Sequence, residues 1–354
     1  MAVALMAPAM AKDDALQMVS VDVEGGGGTL FVTPDGKSLL IDTGNPEVSK
    51  VTGDNPSSAR IEKAAHELGI KKIDYLITTH YHSDHIGGLE GLLKRMPIGT
   101  FIDHGENRET KASSRPDAPE IDLKNPPPGS SAAGYNKYIE LVGKHPHKVV
   151  KAGDVLHIGG MTVTIVMADA KPLAKPLPGA GEDNPSCAGM EGMTNNGGEE
   201  NARSTSSVIS YGKVKIAAFG DLTWDREKDL FCPVDKVGKV DIYLATHHST
   251  ALSGSPAAVN ALAPIVAIAG NGARKGGDPA RMKTIEASPR IQGVWMLHAS
   301  TATPQANVDP QMIANISTDP AADKAYNLRL RIRKDGEITV INERNGFNKT
   351  YGAK

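Results

Sequence analysis

Residues 73–79, Ile-Asp-Tyr-Leu-Ile-Thr-Thr, form a continuous β-rich apolar run, the composition of a strand buried on both faces. Helical spacing lies on either side of it. Ser57 to Leu68 places Ile61, Ala64, Ala65 and Leu68 on one face and stops at Gly69, with His66 off that face and solvated. Residues 86–95, IGGLEGLLKR, return to the same period. A buried strand between amphipathic helices requires a layered α/β fold. Residues 80–85 then fall at the carboxyl end of that strand, where such folds hold their chemistry.

Strand signals continue along the chain. SVDV, TLFVT and SLLIDTG are separated by Gly25–Gly28 and by the turn Pro34-Asp35-Gly36-Lys37. No helix and no GK[ST] follows the four glycines, so they read as a strand connection, not a phosphate loop. Residues 142–170 read as strand pairs, with His145 and His147 in a loop and His157 at a strand start. A hairpin is expected over 207–221, a strand over 240–248, a short helix at PAAVNALAP, and strands at PIVAIAG and GVWMLHAS. The C-terminal hairpin turns at Lys334-Asp335-Gly336, and Arg329, Arg331 and Arg333 form its charged outer face. Segments 104–135 and 170–202 are rich in Pro, Gly, Ser and Asn without a hydrophobic period, the pattern of functional lids or of disordered segments.

The division expected is a flexible start over 1–16 and one domain over 17–354. The first eleven residues are apolar and uncharged, and Ala9-Met10-Ala11 has a small-x-small cleavage pattern, so they read as the remnant of an export signal. A periplasmic or secreted location follows; a cytoplasmic one is the alternative. Cys187 and Cys232 are compatible with one disulfide or with two buried thiols. The 39 basic and 41 acidic residues nearly cancel, and aromatics are 4%. That balance disfavours a nucleic-acid binder. No apolar run approaches the ~18 residues that span a bilayer.

Thr79-His80-Tyr81-His82-Ser83-Asp84-His85 carries the chemistry. His80 and His82, two apart, can address one metal from a tight turn, while Asp84 and His85 point toward a second. Imidazole nitrogen with carboxylate oxygen suits zinc first, then iron or manganese.

HxHxDH after an apolar strand, preceded by LLIDTG, resembles the metallo-β-lactamase-fold hydrolase superfamily, with motifs in order from about residue 18 to 300. The resemblance implies a four-layer αββα sandwich of two mixed β-sheets flanked by helices. It implies that Asp42 supports the histidine loop, and that Asp221, ending the run AAFGD, is the carboxylate shared by two ions. The pattern of Asn201-x-x-Ser204, Gly-Asp and Thr246-His247-His248-Ser249 is similar to the metallohydrolase domain of competence (DNA-uptake) proteins, with Ser249 in place of a glycine. One of His247 and His248 then ligates and the other serves the substrate; Asn201 either polarises a substrate oxygen or caps a turn. The superfamily's third histidine for the first metal is missing: TVTIVMADA ends in Asp169, so that site uses Asp169 or water. His298 resembles the terminal histidine of the transfer-RNA 3′-processing branch, as a substrate-side group or a rival ligand. Asn271, Arg274 and Lys275 form a loop able to bind an anion or simply to turn in solvent.

These residues together imply a binuclear metallohydrolase, with Asp84 or a metal-bound water handling the proton of the attacking water. A nuclease or phosphodiesterase and a di-iron oxidoreductase of the same fold are the alternatives, although no flavin-type glycine fingerprint occurs. Arg108, Lys111 and Arg115 are mixed with Glu106, Glu109, Glu120, Glu182, Glu199 and Glu200 in the two long loops. Such a mixture makes no positive funnel, which favours a small ester, lactone, lactam or phosphodiester over long nucleic acid.

Overall fold

The computed structural model describes residues 14–352, except 116, 144, 189, 191–197 and 318–322. Two sheets account for its strands. The first runs in the order Asn348–Gly352, Glu337–Asn342, Leu328–Ile332, Leu16–Ser20, Thr29–Val32, Ser38–Ile41, Ile73–Ile77, Ile98–Asp103, His147–Val149. The second runs Ile313–Asn315, Gly293–His298, Val266–Ala269, Ile242–Leu244, Val214–Ala218, Ser206–Tyr211, Met161–Ala168, Val155–Ile158, with Lys171–Pro172 also on Met161–Ala168.

The strands' two-residue period builds the layers. In Ser38–Ile41, Leu39 and Ile41 enter a core shared by both sheets, whereas Leu40 faces the helices Ser57–Glu67, Leu89–Arg95 and Ser131–Val142. In Val214–Ala218, Val214, Ile216 and Ala218 enter the same shared core, and Ala217 faces Trp224–Phe231, Pro256–Leu262 and Pro279–Glu286. Helix, sheet, sheet, helix is the result, a mixed α/β sandwich as expected. Among the described residues no helix is long and apolar enough to cross a membrane.

Parallel pairing sets the working edge. Ser38–Ile41, Ile73–Ile77 and Ile98–Asp103 are parallel neighbours, as are Val214–Ala218, Ile242–Leu244, Val266–Ala269 and Gly293–His298. Asp42, His80, Asp221, His247 and His248 all follow the carboxyl ends of these strands.

Several local expectations change. The strand expected over 240–248 stops at Leu244, and Thr246–Ser249 turns, with positive φ at His247, His248 and Ser249. Helix Ser131–Val142 begins inside the expected loop; Ser130 caps it, and its apolar face of Tyr135, Tyr138, Leu141 and Val142 lies beyond the Pro- and Gly-rich stretch. SVDV is displaced, the strand being Leu16–Ser20. Helices Trp224–Phe231 and Pro279–Glu286 and strand Asn348–Gly352 were not anticipated. Cys187 and Cys232 form a disulfide. The start of the chain, where an export signal is expected, lies outside the described residues up to position 13.

Candidate metal centre

Five histidines are held at the sheet edge, and the acceptor behind each ring decides which nitrogen faces inward. Thr79 Oγ1 donates its one proton to Asp42 Oδ2 at 2.8 Å, so toward His80 Nδ1, 3.1 Å away, it can only accept. His82 Nε2 meets Glu109 Oε2 at 2.8 Å, and His85 Nδ1 meets Asp42 Oδ2 at 2.7 Å. His248 Nδ1 lies 3.2 Å from the Gly270 carbonyl, and His247 Nδ1 lies 3.1 Å from Ser253 Oγ. Protons on these outer nitrogens leave lone pairs on His80 Nε2, His82 Nδ1, His85 Nε2, His247 Nε2 and His248 Nε2.

Those lone pairs converge. His80 Nε2 and His82 Nδ1 are 3.0 Å apart. One ligand atom from each of Asp84, His85, Asp221 and His248 lies within 4.8 Å of the others. His85 Nε2 is 3.2 Å from Asp84 Oδ2 and 3.3 Å from Asp221 Oδ2, and His248 Nε2 is 3.4 Å from Asp84 Oδ2 and from Asp221 Oδ1. Neither of these buried nitrogens has hydrogen-bond geometry to any described atom. His247 Nε2 reaches Asp221 Oδ2 at 3.3 Å. Facing lone pairs and carboxylates repel unless a cation stands among them, so this donor set fits metal ions.

Without a cation among them, the charges divide the histidines. Burial, with His85 and His82 adding to it, holds His80 well below the ordinary histidine range; burial pushes His247 down to about 4. Both stay neutral, the form that ligates. Burial would raise Asp84 and Asp221, but Lys275 and His85 beside the first, and His247 and His248 beside the second, hold both well below the carboxylate range. Burial opposes charge on His85, yet Asp221, Asp84 and Asp42 drive it well upward.

Gly25–Gly28 closes one wall. A Cβ at Gly26 would lie 2.3 Å from the Asp84 carbonyl, and one at Gly27 would lie 2.5 Å from Asp42 Oδ2. Gly27 N donates to Asp84 O at 3.0 Å, so the strand connection also shapes the site. A cavity of about 70 Å³ lies there, lined by Asp42, His85, Asp221, His247 and His248 among others.

A model of the metallo-beta-lactamase superfamily matches residues 24–251. The chain belongs to the metallo-beta-lactamase superfamily. Coenzyme F420H(2) oxidase of Methanothermobacter marburgensis is 28% identical over 108 residues, 30% of this chain; the chain spans 21% of that protein. Similar solved structures include a metal-dependent hydrolase of the beta-lactamase superfamily, with TM-score 0.43 and 14% identity over 79% of this chain and 95% of that one. A diphosphatase of the PhnP family has TM-score 0.39 and 13% identity over 79% and 94%. CmlA, a diiron beta-hydroxylase from Streptomyces venezuelae, has TM-score 0.37 and 15% identity over 73% and 45%.

Against the superfamily pattern, four expected site residues stand elsewhere. Asp169 turns to Arg203 at 2.6 Å and Lys171 at 3.0 Å, because a half-exposed carboxylate between two cations is already neutralised. His298 is buried, 2.7 Å from Asp22, in a separate group with Glu24 and Asp323. Arg60 supplies that group's cation, 2.8 Å from Asp22 and 3.0 Å from Asp323, so His298 stands apart from the ligand cluster. Asn271 is fully buried and bonds the His298 carbonyl at 2.8 Å, a loop tie and not an anion site. Arg274 is exposed, and its neighbour Lys275 is the residue that pairs with Asp84. Asn201 does reach the site: Nδ2 is 3.5 Å from His247 Nε2, and its buried Oδ1 has no partner.

Glu109 and Glu200, two of the acids in the long loops, are both buried. Glu200 accepts from the backbone of Tyr81 and Arg108, and His104 Nε2 lies 3.3 Å from it. Two long loops are thus fastened to the histidine turn by buried acids. Loop composition alone carried no signal for this.

Proposed function

We propose that the protein is a metal-dependent hydrolase of small molecules with a two-ion site. The observation that carries this reading is the inward convergence of histidine lone pairs and the carboxylates of Asp84 and Asp221. His80, His82 and His247 would hold one ion, with His247 replacing the histidine absent at Asp169. Asp84, His85 and His248 would hold the other, and Asp221, touched by both His247 and His248, could serve either. Zinc suits this donor set first, manganese or iron next. When bound, such ions supply a Lewis acid and bring the ionisation of water toward neutral pH.

This chain's residues do the rest. Asp84, more open than Asp221, would orient the attacking water, while Lys275 and His85 leave it too weak a base to keep the proton. Ser253 stands behind the outer nitrogen of His247, Asp42 orients His85, and Asn201 lies beside the inward face of His247 where it would meet a substrate oxygen. Lys275 stands beside Asp84 and gives the mouth a cation for an anionic substituent.

A small ester, lactone, lactam or phosphodiester is the substrate class proposed. With Glu109 and Glu200 buried, the surface acids at the mouth are fewer than the sequence suggests, although Glu106 still pairs with Arg108 at 3.1 Å. The panel that tests the reading compares bis-p-nitrophenyl phosphate, lactones and β-lactams on metal-loaded protein, with plasmid DNA at low and moderate salt. Turnover of a small substrate with little salt dependence supports it; DNA cleavage that collapses with salt favours the nuclease alternative. The local likeness to a coenzyme F420H(2) oxidase favours a second, redox reading. Oxygen consumption by iron-loaded protein with a flavin reductant tests that one. The disulfide supports placement outside the cytoplasm.

A further inference from the structure

Glu109 is 2% exposed, and a buried carboxylate is costly unless it is paired. Among the described contacts no lysine or arginine meets it. Its Oε2 instead takes two short contacts, from His82 Nε2 at 2.8 Å and from Ser131 Oγ at 2.8 Å. Ser131 is the first residue of helix Ser131–Val142, so the carboxylate is held from behind by a rigid element. Asn107 fixes its backbone, donating to Glu109 O at 3.1 Å and accepting from Glu109 N at 3.3 Å. The consequence falls on His82. With Nε2 protonated toward Glu109, only Nδ1 can ligate, and Nδ1 is the atom 3.0 Å from His80 Nε2.

We propose that Glu109 is a positioning residue of the first metal site, fixing the tautomer and ring orientation of His82 and making loop 104–135 part of that site. The inference rests on the metal reading above. It separates the two ions, because His85 and His248 are oriented by Asp42 and Gly270 and, among the described residues, have no hydrogen bond to this loop. Carboxylates behind ligand histidines typically change metal affinity by about 10–100-fold.

Cobalt titration of the metal-stripped full chain, followed by calorimetry and by the visible d–d bands, tests this. The wild type should take up two equivalents. Glu109→Ala should weaken one of them about 10–100-fold and alter its bands, while the other changes less than about 2-fold. Glu109→Gln, whose amide oxygen still accepts from Nε2, should recover most of the loss. Ser131→Ala should give a smaller loss in the same direction, and equal thermal melting of the stripped proteins establishes that the variants fold. If Glu109→Ala binds both ions as the wild type does, or weakens both equally, the role of Glu109 is refuted while the metal site stands. A folded wild type that takes up no cobalt refutes the metal reading itself.

Discussion

Asp42 Oδ2 lies 2.7 Å from His85 Nδ1, although the two residues are 43 positions apart. The same carboxylate accepts from Thr79 N and Thr79 Oγ1, each at 2.8 Å, so one side chain orients two histidines. Asp42 has φ 62°, a conformation that asparagine tolerates well. Both of its oxygens accept, so an amide leaves a donor unmet, and Asp42→Asn is expected to keep the backbone and lower metal affinity by about 10–100-fold, read by cobalt titration. Unchanged affinity would show that the ring needs no carboxylate behind it.

The fold and the ligand edge were legible in the sequence for a physical reason. Continuous apolar runs ending in His80, Asp221 and His247 are what buried parallel strands require, and their ends must share an edge. Asp42 was readable through the resemblance. What was not legible depends on contacts between distant segments. Glu109 and Asp169 are both acids in or beside polar loops; only packing makes one the buried partner of His82 and the other a surface partner of Arg203. His298 ends a strand as a ligand should, yet Asp22 and Arg60 capture it in another network.

Ser249 occupies a left-handed position, φ 62°, and its buried Oγ has no partner. A side chain is strained there and glycine is not. Ser249→Gly should stabilise the protein by about 1 kcal/mol, offset in part by the greater freedom of glycine in the unfolded chain. Chemical denaturation midpoints decide it, and a clear loss of stability would assign the hydroxyl a role.

Burial, with Asp22 adding to it against the pull of His298, pushes Glu24 up to about 7. A raised carboxyl contributes fully below its unfolded value near 4.5 and loses that contribution as pH rises through 7. Glu24→Gln should therefore gain stability relative to the wild type by about 2 kcal/mol on going from pH 5 to pH 8, after allowance for partial exposure. Parallel pH dependences of the two melting curves would contradict this.

Cys187 and Cys232 close a loop with a sequence separation of 45. Constraint of the unfolded chain over that length stabilises by about 4 kcal/mol. Replacing both cysteines with serine should lower the denaturation midpoint accordingly, and reduction of the wild type should match it. A variant as stable as the oxidised protein would leave the bridge without this role.

The central claim is that the inward-facing lone pairs of His80, His82, His85, His247 and His248 serve metal ions needed for hydrolysis. Elemental analysis of protein purified without added metal, assayed in parallel before and after chelation, tests it most directly. One to two equivalents of a transition metal, with activity lost on chelation and restored by metal, is the result expected. A folded protein that is metal-free and fully active would contradict the account.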